Sequence, residues 1–381
     1  MSRSLEKLDV TGTPSPEYRG SMPRSTLEVK GWHGQVDPEA ALEPHLPMVD
    51  AHHHLFGKEG DKQYYRLEDL AQDLGSGHRV IGTVYVEAYE AHWRADGPRH
   101  LRPVGETEAI LRTCAEPLAL PHGPCQAAAA VVAFADMTLG AEVEAVIDAH
   151  AQAARGRLRG IRHRTATDAG TFGRFIVDAP PPRVLRQPAV REACRLLGRR
   201  GLSFDVWAYH HQLDEVAELA DACPDTRIVL DHVGGPIGVA EYASRLPQVR
   251  QEWLRGMRAL ARRPNVFVKT GGMGMVMFGF GFEHADLPAG SAELAAAWQP
   301  LLDECLASFG PQRCLFETNF PVDKQSAGYS AVWNAFKRMT QGLSDSERCD
   351  LFGRTACRVY RLPELERQMG LLWPGSGQAS A

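Results

Sequence analysis

The sequence lacks the long apolar segments that a membrane protein needs. No apolar run approaches the roughly 20 residues that cross a bilayer as a helix, and the mean hydropathy is −0.28. The amino terminus also lacks the apolar core that a secretory signal peptide requires. We therefore expect a cytoplasmic protein with no membrane partner.

An excess of positive charge is also missing. The 381 residues contain 42 Lys and Arg against 47 Asp and Glu, so the formal net charge is −5. Proteins that bind nucleic acids neutralise the phosphates with clustered basic residues. The charge balance therefore argues against a nucleic-acid partner and leaves a small-molecule substrate as the expected one.

Closely spaced cysteines are absent as well. The 8 cysteines are spread over the chain, and none of them forms a C-x-x-C pair. This spacing excludes the common zinc and redox motifs. We expect the cysteines to be small buried hydrophobes in a reducing compartment.

From residue 48 onward, short apolar segments alternate with longer stretches of helical periodicity. This alternation is typical of parallel βα units, and the G-x-G-x-x-G turn of a doubly wound dinucleotide-binding sheet is missing. Eight strands are predicted, at residues 48–54, 80–88, 126–134, 158–163, 202–208, 227–234, 266–272 and 314–320. We therefore predict a (β/α)8 TIM barrel over residues 47–365. An N-terminal arm (1–46) precedes it and a flexible tail (366–381) follows.

The predicted arm is polar, contains several prolines and shows little periodicity of either kind. We expect it to lie on the barrel or on a neighbouring subunit. Its apolar residues Leu27, Val29 and Trp32 need a surface to cover. For this reason we also expect a homo-oligomer.

The first predicted strand ends in the run Asp50-Ala51-His52-His53-His54. Catalytic groups of TIM barrels come from the carboxyl ends of the strands and the loops that follow them. Side chains alternate along a strand, so His52 and His54 share one face with Asp50. Two imidazoles in this arrangement suit one divalent cation or one anionic oxygen. The alternative is a polar strand end without a function.

The sixth and eighth predicted strands end in further polar residues. His232 follows the sixth strand, just before a Gly-Gly-Pro turn. The eighth strand brings Glu317, Asn319 and Asp323 to the same edge. The Asn319 amide can form hydrogen bonds but cannot act as a base. Whether the two carboxylates act in the chemistry or anchor the structure stays open at this point.

The second, fourth and fifth strands supply the remaining candidates, which are Glu87, Arg162, His163, Tyr209 and His210. An arginine at a barrel mouth either pairs with a neighbouring carboxylate or binds a substrate carboxylate through its planar fork. We favour the second role for Arg162, with Glu87, His163 and Tyr209 as further substrate contacts. The glycine-rich apolar loop over 271–282 predicts a mobile cover for the pocket or, alternatively, a packed loop without a catalytic role.

The segments VDAHHHLF, LRGIRH, VLDHVGGP and LFETNFPVDK occur in this order along the chain. Together they resemble the amidohydrolase-related (amidohydrolase 2) family of TIM-barrel hydrolases, and within it the lactonase-like branch of pyrone-dicarboxylate and sugar-lactone hydrolases. The resemblance extends over about residues 48–362. It implies that His52 and His54 bind a metal or polarise a substrate carbonyl with help from His232. It also implies that His210 or His211 replaces a histidine that the family carries on strand five.

The resemblance further implies that some members bind a divalent metal through an aspartate at the end of strand eight. Here that position is Asn319, which removes the usual general base and one negative charge. A bridging lysine after strand four is missing too, so we expect no two-metal site. We expect at most one zinc or manganese ion, bound weakly or not at all by His52, His54 and His232. The catalytic proton then goes to a histidine, such as His210 or His232, or to Asp323.

These observations favour a hydrolase that opens a lactone or a related activated acyl bond of a small, carboxylated substrate. Two alternatives stay open. One is a metal-dependent non-oxidative decarboxylase of the same family. The other is a catalytically idle binding barrel, which Asn319 favours and which the combination of His52, His54 and His232 argues against.

Overall fold

The computed structural model describes residues 18–88 and 92–373. Within this part of the chain eight parallel strands form one sheet, and each strand pairs with the next one along the chain. They are β1 (Pro47–His53), β2 (Arg79–Val86), β3 (Gly123–Phe134), β4 (Leu158–His163), β5 (Ser203–Val206), β6 (Arg227–Leu230), β7 (Val266–Lys269) and β8 (Cys314–Leu315). A short strand, Leu118–Leu120, pairs antiparallel with the start of β3.

The chain that follows β8 returns to β1 and joins the two edges of the sheet. The backbone N–H of Asn319 donates to the carbonyl of His52 (2.9 Å), and the N–H of His54 donates to the carbonyl of Phe320 (2.9 Å). The predicted (β/α)8 TIM barrel is therefore confirmed. The closing hydrogen bonds lie at the carboxyl ends of the strands, so they tie the histidine run of β1 to Asn319.

Helices alternate with the strands and cover the outside of the sheet. Among the described residues they are Thr26–His33, Leu67–Leu74, Val104–Thr113, Val143–Ala153, Pro188–Arg199, Leu213–Ala222, Leu246–Ala261, Ser291–Phe309, Tyr329–Met339, Asp345–Cys349, Thr355–Val359 and Pro363–Leu372. The helix Pro188–Arg199 shows the common pattern, because its buried residues Val190, Ala193, Cys194 and Leu197 recur at three- and four-residue intervals. The strands are buried on both faces, as parallel strands between a core and a helical layer must be.

The region predicted as one helix over 344–362 is interrupted. A π-helical turn, Asp350–Arg354, separates two short helices. A Cβ at Gly353 would lie 2.8 Å from Met369 Cε and 3.2 Å from Val49 Cγ2, so the backbone passes directly against the barrel here. The turn therefore lets the backbone at Gly353 pack closely against β1 and the helix Pro363–Leu372.

The predicted tail is wrong over its first residues. Residues 366–372 belong to the helix Pro363–Leu372, whose Leu365 and Met369 are buried against the barrel. Burial of these apolar side chains accounts for the ordered helix. Residues 374–381 lie outside the described residues.

The described part of the predicted arm lies on the barrel. Its helix Thr26–His33 buries Val29 and Trp32, and the Trp32 indole N–H donates to the carbonyl of Asp286 (2.9 Å). Leu27 is 67% exposed. Two of the three apolar residues that motivated an oligomer therefore cover the chain's own barrel, and the homo-oligomer stays a prediction. Residues 1–17 lie outside the described residues.

The fold bears on the expectations for the cysteines and for membrane-spanning segments. All eight cysteines are unpaired and buried. None of the helices in the described part of the chain has both the length and the apolar character needed to cross a bilayer.

Candidate active site

The carboxyl end of β1 presents consecutive histidines to opposite faces of the strand. His52 and His54 lie side by side, with their Nε2 atoms 3.1 Å apart. His53 faces the other way, and its Nε2 lies 2.8 Å from the Thr83 hydroxyl. The Nδ1 of His54 lies 2.9 Å from the carbonyl oxygen of Val86, which can only accept a hydrogen bond. His54 therefore carries its hydrogen on Nδ1 and a lone pair on Nε2.

His52 can take either of two tautomers in this environment. Its Nδ1 lies 2.9 Å from a Glu317 carboxylate oxygen and 3.1 Å from the Lys269 ammonium. If Nδ1 accepts from Lys269, then the Nε2–H donates to His54. If Nδ1 donates to Glu317, two Nε2 lone pairs face each other across 3.1 Å, and their repulsion must be offset by a cation or by the Arg162 guanidinium, whose Nη1 lies 3.4 Å from His52 Nε2. Burial, reinforced by the nearby Lys269, lowers the pKa of His52 well below its usual range, so the ring is neutral.

A buried lysine, which the sequence reasoning missed, lies beneath this pair. The Lys269 ammonium is 2.9 Å from Asp205 Oδ2 and 2.8 Å from Asp231 Oδ1, and all three side chains are inaccessible to solvent. Burial alone would lower the pKa of Lys269, but Asp205 and Asp231 raise it, so the ammonium is charged. Burial alone would raise the pKa of Asp231, but Lys269, His232 and Arg162 lower it to about 2. A single lysine in the apolar strand segment VFVK was the available signal.

His232 and Glu317 form a buried hydrogen-bonded pair. The Nδ1 of His232 lies 2.7 Å from one oxygen of Glu317, while the other oxygen faces His52. Because a carboxylate only accepts, Nδ1 carries the hydrogen and Nε2 of His232 holds a lone pair. The His232 ring lies 4.8 Å from the rings of both His52 and Trp207.

The turn after β6 holds His232 in an unusual backbone conformation. His232 and Val233 have φ values of 51° and 48°, in the left-handed region that costs L-residues energy. The Trp253 indole N–H donates to the carbonyl of Val233 (2.6 Å) and holds the turn. Strained backbone of this kind is common where a side chain must be aimed at a site.

The glycines that follow β7 lie against the same pair. A Cβ on Gly272 would be 2.1 Å from His232 Nδ1, and a Cβ on Gly271 would be 2.1 Å from the carbonyl oxygen of Glu317. Only glycine allows the backbone to pass this closely. The start of the glycine-rich loop is therefore packed against the site, and Met273, the next residue, is fully buried.

Arg162 pairs with neighbouring carboxylates at the end of β4. Its Nε donates to the Glu87 carboxylate (2.7 Å), its Nη2 to the Glu87 carbonyl (2.8 Å), and its Nη1 lies 3.3 Å from Asp231 Oδ2. The guanidinium and the Glu87 carboxylate therefore pair with each other, and the substrate contacts predicted for both stay predictions. The interpretation of Arg162 as the partner of a neighbouring carboxylate is the one that the geometry supports.

Asn319 and Asp323 lie together at the end of the eighth strand. The Asn319 amide nitrogen donates to Asp323 Oδ1 (2.9 Å), and the Gly274 N–H donates to Asp323 Oδ2 (2.7 Å). Burial raises the pKa of Asp323 well above its usual range. Asp323 thus fixes the orientation of the Asn319 amide, which is an anchoring role rather than that of a base.

Two predicted histidines lie outside the cluster. His163 is on the opposite face of β4 from Arg162, and its ring lies 6.0 Å from that of Phe134. The ring of His210 packs 5.3 Å from that of Tyr242. Burial is the main cause that lowers the pKa of each histidine to about 4. The substrate contact predicted for His163 and the proton acceptor predicted for His210 stay predictions.

Tyr209 lies next to the site without reaching its polar centre. Its ring is 5.2 Å from that of Trp207 and 5.3 Å from that of Phe172. Since Trp207 also contacts His232, these aromatic rings form a continuous wall on one side of the histidine. This wall could contact the apolar part of a substrate.

The buried donors could hold one divalent cation. Ligand atoms of His52, Asp231 and His232 all lie within 4.8 Å of one another. Two buried carboxylate oxygens lie beside them, Asp231 Oδ1 at 2.8 Å from the Lys269 ammonium and Glu317 Oε2 at 2.9 Å from His52 Nδ1. Nitrogen and carboxylate donors of this kind fit zinc or manganese. His54, whose Nε2 lies 3.1 Å from that of His52, stays a predicted ligand, and the Lys269 ammonium competes with a cation for Asp231.

The chain is similar to known proteins over most of its length. The amidohydrolase family model matches residues 49–362. The uncharacterized protein y4mH of Sinorhizobium fredii is 34% identical over 83% of this chain and 99% of its own. The L-fucono-1,5-lactonase of Burkholderia multivorans is 28% identical over 83% of this chain and 96% of its own. The chain therefore belongs to the amidohydrolase family, as the four sequence segments predicted.

Solved structures confirm the fold. An amidohydrolase from Burkholderia multivorans, crystallised with bound HEPES, superposes with a TM-score of 0.62 at 22% identity and covers 82% of this chain and 99% of its own. A second crystal form of that target contains bound zinc and superposes with a TM-score of 0.60. At this identity the likeness establishes the barrel and no finer property of this chain.

Proposed function

We propose that this amidohydrolase-family member is a hydrolase that opens a lactone or a related activated acyl bond of a small substrate. The observation that carries the proposal is the pair of His232 and the buried Glu317, 2.7 Å apart, which leaves Nε2 of His232 able to accept a proton. The L-fucono-1,5-lactonase relative supports a lactone as the substrate class.

In the proposed reaction, His232 Nε2 takes a proton from a water molecule as the water oxygen attacks the carbonyl carbon. Glu317 stabilises the imidazolium that forms, because its carboxylate accepts the Nδ1–H in a buried environment. The bond between the carbonyl carbon and the ring oxygen then breaks. His232 returns the proton to the leaving oxygen, so one water is consumed and one hydroxy acid is formed.

Asn319 is suited to the developing negative charge on the carbonyl oxygen. Its amide nitrogen has two hydrogens, and Asp323 accepts one of them. We assign the second hydrogen to the carbonyl oxygen of the substrate. A donor that is already oriented before the reaction stabilises such charge more than mobile water does.

A divalent cation, if bound, would be held by His52, Asp231 and His232 and would polarise the substrate carbonyl as a Lewis acid. His232 cannot be a ligand through Nε2 and a base at the same atom. The proposal assigns the base role to His232. A cation is then bound weakly, because it loses this nitrogen as a ligand. The proposal predicts activity that survives treatment with a chelator.

The experiment is a substrate panel of 1,4- and 1,5-sugar lactones, pyrone dicarboxylate and hydroxybenzoates, with acid release and carbon dioxide release both measured. His232→Ala should lower the rate of lactone hydrolysis by about 100-fold or more, as loss of a general base does. His45→Ala, which removes an exposed histidine just before β1, is the matched control and should retain the rate. Carbon dioxide release without acid release would identify the decarboxylase alternative. Binding without turnover of any compound, with or without added metal, would identify an idle barrel.

A further inference from the structure

A second pocket opens on the face of the barrel opposite the histidine cluster. It has a volume of about 480 Å³ and lies at the amino ends of β2, β3 and β4, under the helix Pro363–Leu372. Small-molecule sites have volumes of about 300–1,000 Å³. Part of its wall is apolar, formed by Ile81, Pro117, Pro124, Leu362 and Leu365.

Three arginines, Arg157, Arg159 and Arg361, line this pocket. Arg157 donates to the carbonyls of Cys114 (2.8 Å) and Ala115 (3.2 Å), and Arg159 donates to the carbonyl of Arg361 (3.2 Å). Within residues 18–88 and 92–373, none of the three arginines forms an ion pair with a carboxylate. The guanidinium groups of Arg157 and Arg159 are therefore held by neutral backbone carbonyls, which leave their charge unbalanced.

Neighbouring groups do not relieve this positive charge. The acidic residue in the lining, Glu364, pairs with Arg367 instead (2.6 Å). Burial, reinforced by the nearby charge of Arg361, lowers the pKa of Arg159. The same two causes lower the pKa of Arg227, which lies beside the pocket. In a chain of net charge −5, this local excess of cations favours an anionic ligand.

We propose that this pocket is a second binding site, separate from the hydrolytic centre, for a small organic anion that carries at least two carboxylate or phosphate groups. The planar guanidinium groups suit the oxygens of such groups, because they can bind two of them at once. The apolar wall suits the carbon skeleton between the charges. The pocket lies at the amino ends of the strands, so a ligand bound there does not block the barrel mouth.

The test is calorimetric titration of the full-length protein with 3-phosphoglycerate and with succinate, and with glycerol as the neutral probe. We expect saturable binding of the anions at one site per chain, weakened by added salt, and no binding of glycerol. Arg361→Gln and Arg159→Gln should each weaken anion binding at least tenfold. Arg250→Gln removes the same charge from an exposed position on the helix Leu246–Ala261, outside the pocket lining, and should change the affinity less than twofold.

A charge added to the pocket provides an independent variant. Ala129→Glu places a carboxylate in the lining, where it would compete with the ligand for the arginines, and should also weaken binding at least tenfold. His232→Ala should leave anion binding unchanged. If His232→Ala abolished binding and Arg361→Gln did not, the anion would bind at the barrel mouth and the proposal would be overturned. Absence of saturable binding of both anions would overturn it as well.

Discussion

Glu317 lies between two histidines, 2.9 Å from Nδ1 of His52 and 2.7 Å from Nδ1 of His232. One carboxylate can therefore orient both imidazole rings. Lys269 competes with Glu317 for Nδ1 of His52 but does not compete for His232. For this reason the state of His232 is defined by Glu317, while that of His52 depends on what else is bound.

Glu317→Gln should lower kcat by about 100- to 1,000-fold with little change in KM. The amide keeps the shape of the side chain but can no longer stabilise the imidazolium that forms at His232. Steady-state kinetics on a hydrolysed lactone is the measurement, with Glu293→Gln, an exposed carboxylate on the helix Ser291–Phe309, as the matched control. An equal loss in both variants would contradict the role of Glu317.

Lys269→Met should destabilise the protein by about 3–5 kcal/mol, because it leaves the buried carboxylates of Asp205 and Asp231 without their cation. Urea unfolding measures the change in free energy. Lys337→Met provides the matched control, since Lys337 is equally buried but donates to the carbonyls of Leu42 (2.6 Å) and Glu43 (3.0 Å). Its loss should cost about 1–3 kcal/mol. Equal effects of the two changes would contradict the stabilising ion pairs of Lys269 with Asp205 and Asp231.

Asn319→Asp should raise the affinity for a divalent metal at least tenfold, because a carboxylate at this position adds a negative charge at the end of β1, where the Asn319 N–H donates to the carbonyl of His52. The change also places two carboxylates where the amide of Asn319 now donates to Asp323. The double change Asn319→Asp/Asp323→Asn restores a donor and acceptor pair and is the control for this repulsion. Metal content after chelator dialysis is the measurement. Tightly bound zinc or manganese in the unaltered protein would contradict our expectation for Asn319.

At the scale of elements, the sequence predicted where strands occur better than where they end. The segment 227–234 was predicted as one strand, but β6 ends at Leu230 because the backbone turns left-handed at His232 and Val233. Alternation along β1 could be derived from period two, since it is a local property. The pairing of His232 with Glu317 could not, because it depends on the register of β6, β7 and β8 in the closed barrel.

The helix Tyr329–Met339 and the end of the N-terminal arm are joined by a lysine whose charge opposes folding. Burial lowers the pKa of Lys337 to about 7, although Glu43 partly opposes this. The unfolded chain keeps this proton up to about pH 10.4, so the unfolded state binds more protons than the folded state between about pH 7 and 10.4. The stability should therefore rise with pH in this window, by at most about 1.4 kcal/mol per pH unit.

Urea unfolding at several pH values between 7 and 9.5 measures this contribution. The rise attributed to Lys337 should disappear in Lys337→Met and persist in Lys324→Met, a lysine that pairs with Asp73 (2.7 Å). An identical pH dependence in the unaltered protein and Lys337→Met would show that Lys337 keeps its charge in the folded state.

At the scale of the whole molecule, the two ends of the barrel differ in charge. The carboxyl end buries Lys269 and Arg162 together with the carboxylates that balance them. The amino end presents arginines held by backbone carbonyls alone. The first arrangement stabilises a closed polar network, whereas the second leaves a positive field at the surface. The pattern explains why a chain of net charge −5 can still have a site for anions.

The cysteines provide a test of the packing of the entire barrel. All eight are unpaired and buried, and thiols react as exposed thiolates. Burial raises the pKa of Cys314 and Cys114 to about 12 and that of Cys349 to about 11. A thiol-specific reagent should therefore modify at most about one of the eight thiols quickly in the native protein, and all eight after unfolding. A reducing agent should leave the unfolding temperature unchanged. Rapid modification of several thiols under native conditions would show that the helical layer around the barrel opens far more readily than this packing implies.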